Sequence, residues 1–352
     1  MTYLVSGLLL LINLTSSILK GREKIFSFML LVFMWVLFWA NYNNADYLNY
    51  KNLYDYVNYT GVGYSTSQFG FVFIMKFASR LGLEYHHFLM IFSLIGLYLI
   101  SDTVKRYTDK PQLVYLVYFI YPFLLDIVQV KHFLAMSIIV YCFRYLEYEG
   151  NLNNIKYLLG ILMAVSIHTI SIIFIPILFI KNIKISKMYI LIIMVLAIGI
   201  PLAYTNFFQI YAYRFLDIQR IEAYFLNRAR YGFLIQFFIQ GVIFLLVYYS
   251  KVILEKRKES NKFVELVYRT NLYLIILFPL YIINGTFERG FRIIMILNYI
   301  VFSKLYSTSK KNNKGVVLFI IMIFVFALFF YFIFIPYGDT VFFPIFENNL
   351  IF

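Results

Sequence analysis

The chain is poor in nearly everything a soluble enzyme of 352 residues carries. Only 14% of its residues are charged, and 17 acids stand against 31 lysines and arginines. Its one cysteine, Cys142, excludes an internal disulfide, and its place in an apolar run argues against a thiol metal site. No Cys/His metal spacing, no GxxxxGKS/T and no GxGxxG occurs, so neither a metal nor a nucleotide cofactor is expected. There is no arginine-striped helix of the voltage-sensor kind and no inverted repeat of the kind many transporters show. No polar segment is long enough to form a separate soluble domain, and nothing points to a nucleic-acid partner.

Apolar surface is what the chain has in excess. It is 62% hydrophobic and 21% aromatic, with a mean hydropathy of +0.78. No soluble domain of this length could bury so much, so an all-α polytopic membrane protein is expected, one integral domain over residues 1–352. Residues 1–19 lack a basic n-region and a small-residue cleavage site, and read as a first span rather than a signal peptide. Apolar runs at 3–19, 25–41, 85–101, 112–127, 129–147, 188–203, 232–250, 265–283, 287–305 and 316–336 are long enough to cross a bilayer with snorkelling flanks. Residues 68–83 place Lys76 and Arg80 four apart on one face and read as a helix lying in the interface. Residues 157–180 form an apolar run broken in the middle by Ser166, His168, Thr169 and Ser171.

Charge gives the orientation. The connections at 20–24, 103–110, 144–156, 181–187, 251–262 and 304–314 hold 20 of the 31 basic residues, sixteen of them lysines. These are the cytoplasmic loops. Both 144–156 and 181–187 then lie inside, so 157–180 is expected to enter and return as two short half-helices meeting near His168. The count becomes about 12 membrane segments, with both termini outside.

The outward face then consists of 41–67, 204–232, 284–290 and the tail after Pro336. The 204–232 loop and the 284–292 region carry Arg214, Arg220, Arg228, Arg230, Arg289 and Arg292, and no lysine. Arginine presents a planar fork of donors that grips phosphate or carboxylate bidentately, whereas lysine is a point charge. Positive charge on the outward side opposes the topology rule, and an anionic, phosphate-bearing ligand would compensate it. The alternative is ion pairing with Asp217, Glu222 and Glu288. Arg289 and Arg292, three apart, share one face at the outer end of a helix beginning near Phe287.

Four further positions could carry chemistry. Lys131 and His132 stand at the outer end of the 129–147 run, where a basic pair either anchors to lipid headgroups or serves a ligand. His168 is the one histidine deep in the membrane; it is either a satisfied core residue or an imidazole able to relay a proton near pH 7. Asp46, followed by Tyr47, Tyr50 and Tyr54, joins an acid to aromatic rings in a combination suited to sugars, although tyrosines also collect at membrane interfaces. His86 and His87 open a helix and read as interfacial.

Several short stretches now converge. Asp46-Tyr47 with Tyr50, Ser67-Gln68-Phe69-Gly70-Phe71, Gln129-Val130-Lys131-His132-Phe133-Leu134-Ala135 and Ser166-Ile167-His168-Thr169-Ile170-Ser171, with Arg289 and Arg292 near the last helices, span most of the chain. In these the sequence resembles the EpsG family, membrane polymerases of bacterial exopolysaccharide and capsule clusters related in role to Wzy, the O-antigen polymerase. The family more often has an acid where Gln68 stands, and arginine then glutamine where Lys131 and His132 stand. Gln68 therefore cannot be a base here, and Lys131 keeps a charge without the fork.

The resemblance implies a metal- and nucleotide-independent membrane glycosyltransferase. It would pass a growing glycan from one polyprenyl diphosphate to a second lipid-linked repeat, outside a bacterial cytoplasmic membrane. Arg289, Arg292, Arg214, Arg220, Arg228, Arg230 and Lys131 would hold the leaving diphosphate. His168 or Asp46 would take the acceptor proton, and Tyr47, Tyr50, Gln68 and His132 would bind sugar. Partners would be the polyprenyl-diphosphate-linked oligosaccharide, membrane lipids, a chain-length regulator and a flippase. Two other readings remain: a flippase or exporter of the same lipid-linked oligosaccharide, and a membrane O-acyltransferase. The first would want a polar path and two related halves; the second wants a histidine near the first helix, and residues 3–41 contain none.

Overall fold

The computed structural model describes residues 2–18, 23–62, 68–212 and 232–351, and among them every regular element is helical. In chain order these are α1 (Thr2–Ile18), α2 (Glu23–Trp39), α3 (Tyr47–Thr60), α4 (Phe69–Arg80), α5 (Tyr85–Tyr107), α6 (Pro111–Val128) and α7 (Val130–Cys142). There follow α8 (Asn151–Ile167), α9 (Ile185–Ala203), α10 (Gly232–Lys256), α11 (Lys262–Ile283), α12 (Met295–Thr308) and α13 (Lys311–Glu347), with short helical turns between them. Helices are the form in which an apolar segment satisfies its own backbone away from water.

Six of these, α5, α6, α9, α10, α11 and α13, are long and apolar enough to cross a membrane, and Thr2–Thr15, Lys24–Trp39 and Thr169–Ile180 are shorter apolar helices. The outer surfaces fit that solvent: Ile193 is 64% exposed, Phe238 70% and Phe319 65%. About 12 spans are not reached among the described residues. The runs at 129–147 and 287–305 are each cut in two, the first into α7 and the 3-10 turn Phe143–Leu146, the second into Glu288–Arg292 and α12. Pro122 breaks the regular backbone within α6, where Tyr121 leaves helical geometry. The stretch after Pro336, expected as a tail, continues α13 through π-turns to Glu347.

The chain divides into two compact units, residues 1–172 with 295–352, and residues 173–294. In the first, hydrogen bonds sort the connections into two ends. At one end the Arg144 guanidinium meets Asp102, Arg106 Nη2 donates to Tyr148 Oη at 2.8 Å, and Thr108 Oγ1 and Ser303 Oγ lie 2.8 Å apart. At the other, the Leu350 N–H donates to Ala40 O at 2.9 Å, Asn41 Nδ2 donates to Pro344 O at 3.0 Å, and His86 Nδ1 lies 2.9 Å from Trp39 O. The lysine-bearing turns after α5 and α12 fall at the first end, and the 41–47 loop at the second.

The 157–180 segment is broken at the position expected from its sequence. The break falls at His168, which leaves helical geometry at φ −144°, and the arm before it is α8, a helix of 17 residues. Its first six residues, 151–156, are largely polar, and the apolar part, 157–167, is about 16 Å long at 1.5 Å per residue. The helix starts beside the basic end, where Lys156 Nζ sits 5.9 Å from the Tyr145 ring centre, and finishes beside α4 and α7. The arm after His168 is less regular: a 3-10 turn, Thr169–Phe174, then Ile177–Ile180.

The second unit packs α9 and α10 on α11, with Ala203, Ile282 and Ile283 buried at its centre. Arg269 in α11 bonds Glu265 at 2.6 Å and donates to the carbonyls of Ile180 and Ile183, while Lys251 of α10 reaches Glu265 at 2.8 Å. One carboxylate thus joins two cations and ties two helices and a turn together.

Candidate functional site

The densest gathering of polar side chains among the candidates lies in the first unit, where α3, α4, α7 and the end of α8 meet. Two close approaches put it there. A Cβ added at Gly70 would stand 2.1 Å from Ser166 Oγ, so only glycine lets α4 lie this near α8. A Cβ at Gly160 would stand 2.2 Å from Cys142 Sγ, which seats α8 on α7 in the same way. α4 itself shows Phe69, Phe73 and Phe77 outward, 60 to 69% exposed, and buries Phe71, Met75 and Ala78. The 68–83 stretch thus forms a helix, Phe69–Arg80, that turns one phenylalanine-lined face outward.

Lys131 opens α7, and its Nζ donates to Gln68 Oε1 at 2.7 Å. The same ammonium lies 5.2 Å from the Tyr50 ring centre and 5.7 Å from that of Phe71. Ring faces attract a cation without cancelling it, and an amide oxygen accepts a bond without bearing a full charge. One residue on, His132 is 1% exposed, and its ring meets that of His168 edge-on at 5.5 Å between centroids. His168 is only partly buried, so of the two imidazoles it is the one a substrate could reach.

The remaining candidates are placed more variously. Tyr50 belongs to the Lys131 cage. Tyr47 is buried between Tyr85 and His86, with its hydroxyl 2.9 Å from His86 Nε2. The Trp39 carbonyl beside His86 Nδ1 can only accept, which puts a proton on Nδ1 and lets Nε2 of the neutral ring accept a hydrogen bond from the Tyr47 hydroxyl. Burial raises both the Tyr47 and Tyr54 phenols, the latter to about 12, so they act as donors; Tyr54 donates to Leu83 O at 2.6 Å. Asp46 is half-buried ahead of α3 and accepts from Asn49 Nδ2 at 3.2 Å. Ser67, Arg214, Arg220, Arg228 and Arg230 lie outside the described residues.

In the second unit Arg289 and Arg292 differ. Arg292 is 2% exposed and its Nη1 lies 3.1 Å from Glu288 Oε1, so for this residue the ion-pair alternative holds. Its acid comes from the position four before it, one helical turn away. Arg289 is partly exposed and makes no ion pair or hydrogen bond among the described residues.

Three residues to which the sequence assigned no role also make buried contacts. Phe71 forms one wall of the lysine cage. His86 locks α5 to α2 and α3. Asp126, fully buried in α6, accepts from Tyr118 Oη at 2.9 Å. Of these only Asp126 carried a signal, as an acid within a spanning run.

The chain is of the class of all-helical polytopic membrane proteins, and its first unit brings a lysine ammonium, aromatic rings and two imidazoles together. Within that class the chain is a member of the EpsG family, whose model matches residues 24–345. The family is associated with glycosyltransferase-like polymerases. No curated protein and no solved structure matches the chain. No group of three or more histidine, cysteine or acidic side chains fit to hold a metal occurs among the described residues.

Proposed function

We propose that the protein is a repeat-unit polymerase of the bacterial cytoplasmic membrane. It transfers a growing glycan from its polyprenyl diphosphate carrier to a second lipid-linked repeat on the outer side. The observation that carries this reading is the meeting of Lys131, Gln68, Tyr50, His132 and His168, from separate parts of the sequence, in a member of the EpsG family.

In this reaction the acceptor hydroxyl adds to the anomeric carbon of the donor sugar as that carbon's bond to the diphosphate oxygen breaks. The hydroxyl proton passes to the reachable imidazole of His168, with His132 behind it fixing the ring. The electron pair leaves with the diphosphate, and the Lys131 ammonium meets the charge that develops there. Tyr50 presents a ring edge to a sugar while its face holds the lysine. In the second unit, taken by itself, Arg289 makes no ion pair or hydrogen bond among the described residues and keeps its guanidinium available to an anion.

The test is electrophoresis of lipid-linked glycans from cells carrying His168→Ala or Lys131→Ala. Long polymer should vanish while single lipid-linked repeats persist on the outer leaflet, with the protein still in the membrane. Normal chain lengths in both variants would overturn the assignment, and repeats trapped on the cytoplasmic leaflet would indicate a flippase instead.

A further inference from the structure

At the basic end of the first unit, well away in sequence from the cluster just described, a cavity of about 550 Å³ opens between the start of α2, the end of α5 and the start of α6. Its lining joins two kinds of surface. Lys24, Lys105, Asp109, Ser27, Thr108 and Gln112 are polar, while Phe28 and Leu31 continue it as an apolar wall along α2. Phe28 is 66% exposed, so that wall faces the hydrocarbon side.

Two features mark this as a built site. Gln112 is completely buried, yet neither its Nε2 nor its Oε1 has a partner among the described residues. Ser27, 4% exposed, likewise has an Oγ without one. A buried amide without partners costs about 1–3 kcal/mol, and such groups are ordinarily satisfied. Lys24 and Lys105 are exposed and make no ion pair among the described residues. The two lysines outweigh the single carboxylate of Asp109, so the lining is net positive.

We propose that this cavity binds the headgroup of an anionic phospholipid, a phosphodiester bearing free hydroxyls such as a glycerol headgroup. The phosphate takes Lys24, Lys105 and the Gln112 amide N–H donors. The headgroup hydroxyls donate to Gln112 Oε1 and Asp109, and Ser27 supplies a further hydroxyl partner. An acyl chain lies along Phe28 and Leu31, which is why the ligand is a lipid and not a soluble phosphate ester. The site does not depend on polymerase activity.

The experiment uses the full-length chain, purified and delipidated in detergent. It is titrated separately with phosphatidylglycerol, phosphatidylethanolamine, phosphatidylcholine and soluble glycerol-1-phosphate, and read by native mass spectrometry and thermal shift. Phosphatidylglycerol should bind in preference to the other three and raise the melting temperature. Lys24→Ala with Lys105→Ala, both surface changes, should weaken phosphatidylglycerol binding about 30-fold, the combined effect of two lysines near a charged headgroup. Gln112→Leu should weaken phosphatidylglycerol binding and narrow its preference over phosphatidylcholine while the protein stays folded. Equal binding of phosphatidylcholine or phosphatidylethanolamine to the unaltered protein, or unweakened phosphatidylglycerol binding in the double variant, would overturn the proposal. Glycerol-1-phosphate binding as well as phosphatidylglycerol would overturn the lipid and leave a soluble-phosphate site.

Discussion

Lysine at position 131 presents one compact ammonium to Gln68, Tyr50 and Phe71, and each of those neighbours does a separable job. Gln68→Leu removes the amide acceptor, and a hydrogen bond to a charged group is worth about 1.5–3 kcal/mol. Polymer made by that variant should drop about tenfold or more by gel densitometry, while Lys131→Arg, which keeps the charge, should retain most of it. The two arginines of the second unit give a sharper contrast. Arg292→Ala strands the Glu288 carboxylate beside a buried position and should cost about 3 kcal/mol or more of stability, seen as a lower melting temperature. Arg289→Ala should leave stability within about 0.5 kcal/mol and act on polymer length alone. At this scale the sequence discloses polar residues set in apolar runs, which is how Lys131, His132 and His168 stood out. It conceals the aromatic partners: with 21% of the chain aromatic, the ring that cages a cation reads no differently from one that faces lipid.

Helix boundaries follow from composition, and eight of the ten apolar runs expected to span coincide with one helix over most of their length; 129–147 and 287–305 are each cut in two. Apolar length is a local property, so it survives translation into structure. Where helices touch is not local, and Gly70 shows why: nothing in its neighbours announces that Ser166, almost a hundred positions on, will press against its Cα. Gly70→Val should therefore force α4 off α8, pull Gln68 from Lys131 and lower the melting temperature, with polymerisation lost together with the fold of this region. Gly315→Ala is the matched control, since nothing lies within 4 Å of a Cβ there. In α13 that change should be neutral or stabilising by up to about 1 kcal/mol, the helix preference of alanine over glycine. Equal damage from both substitutions, measured by thermal unfolding in detergent, would mean that the α4–α8 approach is not what Gly70 serves. The different regularity of the two arms around His168 was hidden for a related reason. Ser166, His168 and Ser171 mark a break, but a break does not say how far the chain has travelled when it arrives.

For the whole molecule the decisive quantity is which side of the membrane the Lys131 end faces. Charge bias and hydrogen bonding in the first unit agree on the sorting. Lys105, Lys110, Arg144 and Lys304 belong to the end fixed by Arg144–Asp102 and Thr108–Ser303, whereas Asn41, Tyr47 and His86 belong to the end that holds Asn349. The positive-inside rule then assigns the first end to the cytosol. A single native cysteine makes this directly measurable, because Cys142 is buried and Cys142→Ala gives a thiol-free background with the loss of one small group against Gly160. Into it, Asn43→Cys places a thiol on the exposed loop after α2, and Lys311→Cys places one at the exposed start of α13. A membrane-impermeant maleimide applied to intact cells should label position 43 at once and position 311 only after permeabilisation. The reverse pattern would put the lysine cage and both imidazoles in the cytosol. There they would meet lipid-linked repeats before export, where a polymerase acting on exported units could not use them.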